Sequence, residues 1–256
     1  MATTTPYTPA PVKHPKVRWK VIEYILQRLL SQSLAYNEPI PGTNELIDTL
    51  GVSRTAVREA VSVLVSKGMV TSRPGGGTFV QPLSNWMLLD PEVLSWIKES
   101  EMAPSIIEHL VEVRLIIEPE AAALAAIRGT MEQFIAMSEA LARMSTAKDD
   151  SRTPESTQGD IDFHNIILDA SGNIFLARMR DLCMISVGLI VRLTFENVSS
   201  VSTSINNHYR LLEAIRSRTP EKARRESLNV LIKTIHDLKK LNIPFRKDIL
   251  NHFGEK

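Results

Sequence analysis

The fold of this chain is indicated most clearly by one stretch, Pro41-Gly-Thr-Asn-Glu-Leu-Ile-Asp-Thr-Leu-Gly-Val-Ser-Arg-Thr-Ala-Val-Arg-Glu-Ala60. Within it, Thr43 is a predicted N-cap for a short helix that ends at Gly51. Ser53 is a predicted N-cap for a second helix that continues to about Lys67. Two helices joined by so tight a turn are typical of a helix-turn-helix, whose second helix lies in the major groove of DNA.

The sequence on either side predicts a winged version of this motif. Helical spacing of apolar residues predicts a first helix over residues 15–33. Two short β-prone runs, 69–73 and 78–81, flank the turn Pro74-Gly-Gly-Gly77. Such a pattern predicts a β-hairpin with a glycine tip, which lets the backbone approach DNA without a side-chain clash.

Polar and basic side chains are expected on the side of the second helix that faces DNA. They are Ser53, Arg54, Thr55 and Arg58. Between Pro11 and Pro82, nine Lys or Arg residues stand against five Asp or Glu residues, a surplus of four positive charges. Because the whole chain is +1, the remainder is −3. A basic N-terminal part is expected of a domain that contacts phosphates.

The rest of the chain is predicted to be helical, and the fold class is mainly α. Helices are expected at about 91–100, 103–128, 130–146, 157–170, 173–199, 203–217 and 220–241, with residues 147–159 mostly in a loop. Helices with short connections predict an antiparallel all-α bundle. The predicted divisions are a tail 1–15, a winged helix-turn-helix 16–82, a linker 83–95, a helical effector-binding domain 96–245 and a tail 246–256.

Three residues of the helical part are candidate metal ligands. Asp160 and His164 are four residues apart and share a helical face, and His208 lies on a later helix. A carboxylate with two imidazoles suits Zn, Ni or Mn. An ordinary polar contact is the alternative, because such a pair is common by chance.

Two arginines on otherwise apolar helices, Arg114 and Arg192, are candidates for binding an effector carboxylate through both nitrogens of the guanidinium. Asn165 is a further candidate for the same cavity. For Arg114 the alternative is a buried ion pair with Glu118, one turn further along the helix. The sequence leaves both roles of Arg114 open.

The stretch 41–60 resembles the signature of the GntR family of bacterial regulators, and Arg73-Pro-Gly-Gly-Gly-Thr-Phe-Val80 is similar to the family's wing. The resemblance covers about residues 16–82. It implies DNA contacts by Arg54, Thr55, Arg58 and Gly77, and a phosphate contact by Arg73. The chain departs from the family at Gly42-Thr43-Asn44, where Ser-Glu-Arg or similar is usual.

The helical part resembles the FCD ligand-binding domain of the FadR subfamily. The similar segments are Arg114-Leu-Ile-Ile-Glu-Pro-Glu-Ala-Ala-Ala-Leu-Ala-Ala126, Asp160-Ile-Asp-Phe-His164, Ser171-Gly-Asn173 and His208-Tyr-Arg-Leu-Leu-Glu-Ala-Ile215. In that family the Asp, the two matching His residues and a further His hold a metal. The further His aligns with Val230 here, so the resemblance implies a three-ligand site with open positions.

The segment 85–96 is similar to that of galactonate-type regulators of sugar-acid catabolism. We therefore expect a homodimeric repressor that binds double-stranded operator DNA and is released by a small carboxylate, with a sugar acid as the leading effector. The alternatives are a regulator of another organic acid and a metal-dependent hydrolase. No enzyme is expected, because a hydrolase would leave the N-terminal motif unexplained. A purely architectural DNA-binding protein would need no polar residues on apolar helical faces.

The cytoplasm is the expected location, and no membrane partner is expected. Residues 1–11 lack the charged and apolar regions of a signal peptide, and no stretch approaches the ~18–20 apolar residues of a membrane span. The single cysteine, Cys183, excludes an intramolecular disulfide.

Overall fold

The structure of the protein is a computed structural model, and it describes residues 16–98, 103–146, 153–194, 201–243 and 245–253. The chain divides into two compact units, Met1–Val93 and Leu94–Lys256. Most described residues are helical, and they include one small antiparallel sheet. The predicted fold class is confirmed.

The first unit has the element order of a winged helix-turn-helix. Its elements are α1 (Lys16–Leu30), α2 (Thr43–Leu50), α3 (Arg54–Ser66), β1 (Val70–Arg73) and β2 (Gly77–Val80), and α4 (Pro91–Lys98) follows. The two strands pair in a register that joins Val70 to Val80 and Arg73 to Gly77. The hairpin therefore has the glycine-rich turn at its tip.

The turn between α2 and α3 depends on local backbone chemistry. Gly51 ends α2 in the left-handed conformation, with φ 63°. The Ser53 hydroxyl caps α3 by accepting a hydrogen bond from the Ala56 amide at 3.2 Å. Both predictions are confirmed, but the predicted N-cap at Thr43 is wrong. Thr43 is already the first helical residue, and Gly42 occupies the N-cap position in extended backbone. Gly42 has no side chain that could cap the helix.

Apolar side chains from all three helices form the core of the first unit. Ile22 and Ile25 of α1, Leu46 of α2 and Leu64 of α3 are almost completely buried. In α3 the buried residues Val57, Ala60 and Leu64 recur at helical spacing, so this helix has one buried face. Burial of that face of α3 leaves the opposite side, with Arg54 and Arg58, exposed to solvent.

The second unit is a bundle of helices. Its elements are α5 (Ala103–Arg128), α6 (Met131–Met144), α7 (Pro154–Ala170), α8 (Ile174–Arg178), α9 (Arg180–Thr194), α10 (Val201–Arg216), α11 (Pro220–Lys240) and α12 (Lys247–Phe253). Helix α5 packs against α7, α9, α10 and α11. The long central helix is therefore in contact with the elements that contain the candidate ligands.

Two predicted boundaries in this unit are wrong. Helix α7 begins at Pro154 because the Thr153 hydroxyl accepts a hydrogen bond from the Ser156 amide at 3.0 Å, and proline is well accommodated in the first turn. The helix predicted over 173–199 is instead two helices, α8 and α9, separated at Met179. Residues 147–152 and 195–199 of these predictions lie outside the described residues.

Gly159 allows α6 and α7 to approach closely. A Cβ atom at this position would lie 2.6 Å from the Ala140 carbonyl oxygen and 2.8 Å from the Met144 amide nitrogen. Only glycine fits so close to another backbone. The contact fixes the position of α7 at Gly159, the residue directly before Asp160.

Among the described residues, no helix is both long enough and apolar enough to cross a lipid bilayer.

We predict that Gly68→Ala destabilises the first unit much more than Gly51→Ala. Both glycines have positive φ, which costs an alanine about 1–2 kcal/mol. At Gly68 the new Cβ would also lie 2.1 Å from the Asn85 carbonyl oxygen, whereas Gly51 faces open space. Overpacking adds about 1–3 kcal/mol. Urea unfolding of both variants measures the difference, and equal destabilisation would contradict the close approach.

Candidate DNA-binding surface and buried ligand site

The exposed side of α3 presents its arginines in two different ways. Arg54 donates a hydrogen bond from Nη2 to Oδ1 of Asn44 on α2 at 2.9 Å. Arg58 has no such partner among the described residues and is exposed. Ser53 and Thr55 are exposed beside them. The sequence did not identify Asn44 as a positioning residue, although it lies in the segment that departs from the family pattern.

The wing holds its own arginine in place. The Arg73 guanidinium donates to Asn37 Oδ1 at 2.7 Å and lies over the Phe79 ring, 4.2 Å from the centroid. Gly77, its cross-strand partner, has φ 98° and open space around the position of a Cβ. The wing therefore offers a charged side chain that is already ordered and a tip without side-chain bulk.

The three candidate metal ligands converge inside the second unit. Oδ1 of Asp160 lies 3.3 Å from Nε2 of His164 and 3.3 Å from Nε2 of His208. The two Nε2 atoms are 3.2 Å apart. All three residues are buried. Among the described residues, they form the cluster of histidine and acidic side chains that could hold a metal ion.

The outer nitrogen of each histidine has a partner that can only accept. Nδ1 of His208 lies 2.8 Å from the Ser204 carbonyl oxygen, and Nδ1 of His164 lies 2.9 Å from Oε2 of Glu118. Each Nδ1 therefore has the proton, and each Nε2 directs a lone pair inward. Three atoms with lone pairs then face one another, an arrangement that a proton or a metal ion between them would stabilise. The donor set fits a divalent metal.

Glu118 also forms an ion pair with Arg114 inside the bundle. Arg114 Nε lies 2.5 Å from Oε1, and Nη2 lies 3.4 Å from Oε2. Burial raises the pKa of Glu118, but the charges of Arg114 and His164 lower it more, so this pKa lies well below its usual range. Burial lowers the pKa of His164, but the net shift is upward because of Glu118. The predicted alternative role of Arg114, pairing with Glu118, is thus the arrangement in the structure.

Cys183 is adjacent to the same carboxylate. Burial, the charge of Glu118 and a hydrogen bond to it raise the pKa of the Cys183 thiol well above its usual value. The thiol is therefore neutral. It has none of the thiolate character of a reactive cysteine.

The remaining candidates occupy different positions. Asn165 lies one turn after Ile161, which packs against α9, and its Oδ1 is buried without a partner among the described residues. Ser186 Oγ on α9 is likewise buried without a partner among the described residues, and the sequence did not single it out.

The side chain of Arg192 lies outside the described residues. Val230 is buried on α11 and supplies no ligand atom.

A winged helix-turn-helix combined with a helical unit that has a buried polar site is the architecture of a transcription regulator. The family model for gntR-type bacterial regulatory proteins matches residues 18–80, and the FCD domain model matches residues 109–232. YieP, an uncharacterized HTH-type transcriptional regulator of Escherichia coli K12, is 40% identical over 64% of this chain and 73% of its own length. The chain belongs to the GntR family and has an FCD domain.

Two further comparisons are consistent with this assignment. The galactonate operon transcriptional repressor of Escherichia coli K12 is 27% identical over 79% of this chain and 88% of its own length. The solved structure of Lar, which controls the expression of the Listeria monocytogenes agr system, matches 90% of this chain and 99% of its own, with a TM-score of 0.57 and 16% identity. That likeness shows the fold alone. The matched relatives are transcriptional regulators, which confirms the prediction that the chain is not an enzyme.

Proposed function

We propose that the chain is a homodimeric repressor of a sugar-acid catabolic operon, released from its operator by a small hydroxy acid bound at a divalent metal. Asp160, His164 and His208 would hold the metal, and the effector carboxylate would bind at a position that these ligands leave open. The observation that supports the proposal most strongly is the convergence of three buried acceptor atoms within 3.3 Å of one another. Because it binds operator DNA, the protein is proposed to work in the cytoplasm.

The charge balance of the buried cluster favours an anionic effector. Arg114 and Glu118 neutralise each other as an ion pair, and the three candidate ligands contribute one negative charge, that of Asp160. A divalent metal bound by these three ligands would therefore retain one positive charge. Because an uncompensated buried charge is costly, a monoanion such as a carboxylate is the matching ligand. The metal supplies a Lewis-acid centre for that carboxylate, and three protein ligands leave room for it.

The effector is proposed to be a polyhydroxylated acid because buried acceptors remain available. Asn165 Oδ1 and Ser186 Oγ have no partner among the described residues, and a ligand hydroxyl would satisfy either. Arg192 remains a proposed contact of the carboxylate, whereas the Arg114 guanidinium is already paired with Glu118. Similarity to the galactonate operon repressor supports a sugar acid as the effector. The Glc operon transcriptional activator is 27% identical over 85% of this chain, so some relatives activate transcription. Another organic acid is the alternative.

For DNA, we propose that Arg54, Thr55 and Arg58 contact the major groove and that Ser53 lies at the phosphate-facing start of α3. Arg73 and Gly77 of the wing are proposed to contact the adjacent backbone. One such domain spans few base pairs, so a homodimer on a pseudo-palindromic operator would supply the required specificity.

Arg58→Ala is predicted to weaken specific DNA binding about tenfold or more, because a base contact contributes about 1–3 kcal/mol. The measurement is fluorescence anisotropy with a duplex that the wild-type protein selects from a random library. Arg216→Ala, which removes an exposed arginine of α10, is the matched control and is expected to bind normally. Unchanged affinity of the Arg58 variant would exclude a base contact there.

The protein is predicted to be a dimer both free and on DNA, with two chains per selected duplex. Two-fold protein symmetry then matches two half-sites. Light scattering at micromolar concentration measures the mass of each species. A monomer in both states would disprove the proposed assembly.

Metal removal is predicted to abolish effector binding. Calorimetry is performed with galactonate, other aldonates and smaller hydroxy acids on wild-type protein, on chelator-treated protein and on His164→Ala. Affinity for the acid that binds is expected to fall about 100-fold or more after chelation and in His164→Ala. Loss of a residue that only supports a metal ligand already weakens binding about 10–100-fold, and loss of the ligand itself should weaken it at least as much. His236→Ala, an exposed histidine on α11, is the control. Full binding after chelation would mean that the metal is dispensable. A preference for acids without multiple hydroxyls would favour the alternative effector class.

A further inference from the structure

We propose that Glu118 is a positioning residue of the metal site, which sets His164 to bind the ion through Nε2, and that Arg114 acts through Glu118 rather than on the effector. The inference rests on the proposed metal site and extends it from three ligands to a five-residue network. Glu118 and Arg114 lie on α5, whereas the ligands lie on α7 and α10.

The first step of the argument is the number of donors that meet at one carboxylate. Glu118 accepts from Arg114 Nε at 2.5 Å and from His164 Nδ1 at 2.9 Å. The side chains of Arg114, Glu118 and His164 are each at most 4% exposed. Water therefore does not compete for these bonds, and the carboxylate has little freedom to turn away.

The second step concerns the tautomer of His164. A neutral imidazole has one N–H and one lone pair, and the partner of one nitrogen decides the role of the other. Glu118 accepts the Nδ1 proton, so the lone pair is on Nε2, which faces Asp160 and His208. Ligating histidines with such a carboxylate partner are held in orientation and are more basic. His208 is held in the same tautomer by the Ser204 carbonyl oxygen, which is a neutral acceptor.

The third step concerns Arg114. Its guanidinium bonds both oxygens of Glu118, and the pair is buried. The arginine therefore compensates the charge of the carboxylate that orients His164. An effector carboxylate would have to compete with Glu118 for this guanidinium, whereas a metal ion with open positions has no such competitor.

The test is Zn²⁺ affinity of the metal-stripped full-length chain, measured in competition with a chromophoric chelator. Glu118→Gln is expected to weaken Zn²⁺ binding about 10–100-fold, the usual effect of removing a partner that supports a ligand. The cause is that one amide oxygen cannot accept from both Arg114 and His164 at their separate positions. Glu226→Gln is the matched control, because Glu226 is a buried carboxylate paired with Arg210 and has no contact with the histidines.

A second pair of variants separates positioning from a loss of fold. Arg114→Met combined with Glu118→Gln removes both charges and leaves an amide oxygen free to accept from His164. Arg114→Met combined with Glu118→Leu removes the acceptor as well. The first double variant is expected to bind Zn²⁺ about tenfold more tightly than the second. Histidine ¹⁵N spectra with Zn²⁺ bound should show Nε2 coordination in the first and mixed coordination in the second.

The outcomes distinguish this inference from the proposed function. Wild-type chain that binds no Zn²⁺ overturns both. Zn²⁺ binding that is equally tight in wild type and Glu118→Gln overturns the role of Glu118 alone. Equal affinities of the two double variants would show that Glu118 contributes only to the stability of the bundle, and this too overturns the inference.

Discussion

The interaction on which the second unit depends is the ion pair between Arg114 and Glu118, extended through His164 to Asp160 and His208. Charged groups in an apolar interior are tolerated only when each has a partner. The network joins three helices, α5, α7 and α10. A rotation or shift of any one of them would leave a buried charge without compensation, so the network restricts how these helices pack.

Apolar packing surrounds this network and keeps water out of it. Phe163 lies edge-on to both histidine rings, with centroids 6.0 Å from His164 and 5.3 Å from His208. It belongs to the buried apolar cluster that also contains Val230. Low polarity strengthens each electrostatic contact inside the site. The same exclusion of water would favour a ligand that arrives with its own negative charge.

The DNA-binding surface follows a different physical principle. Its side chains are exposed, and their order comes from neighbouring polar and aromatic groups, as with Arg54 on Asn44 and Arg73 on Asn37 and Phe79. An arginine that is already held loses less side-chain entropy when it binds a phosphate or a base. Arg58 lacks such a partner among the described residues, so a base edge could become its first fixed contact.

Much of the site was predictable because it depends on residues close in sequence. Asp160 and His164 share a helical face by spacing. His208 is a candidate because it lies on a later helix, and the resemblance of its surroundings to a known domain supports it. The partner of Arg114 was one of two predicted alternatives. The groups that support the exposed arginines, and the burial of the Ser186 hydroxyl, were not predicted, because they depend on which elements become neighbours in space.

The sequence alone determined the elements whose signals are local. Gly51 and Ser53 define the turn of the helix-turn-helix through a left-handed glycine and a capping hydroxyl, and the fold class follows from helical periodicity. Only the tertiary structure decided which nitrogen of His164 faces the ligand site, since Glu118 lies 46 positions before His164 in the chain. Local backbone geometry has no information about such a pairing. It is determined when apolar helical faces pack and bring distant polar groups into an interior where each must find a partner.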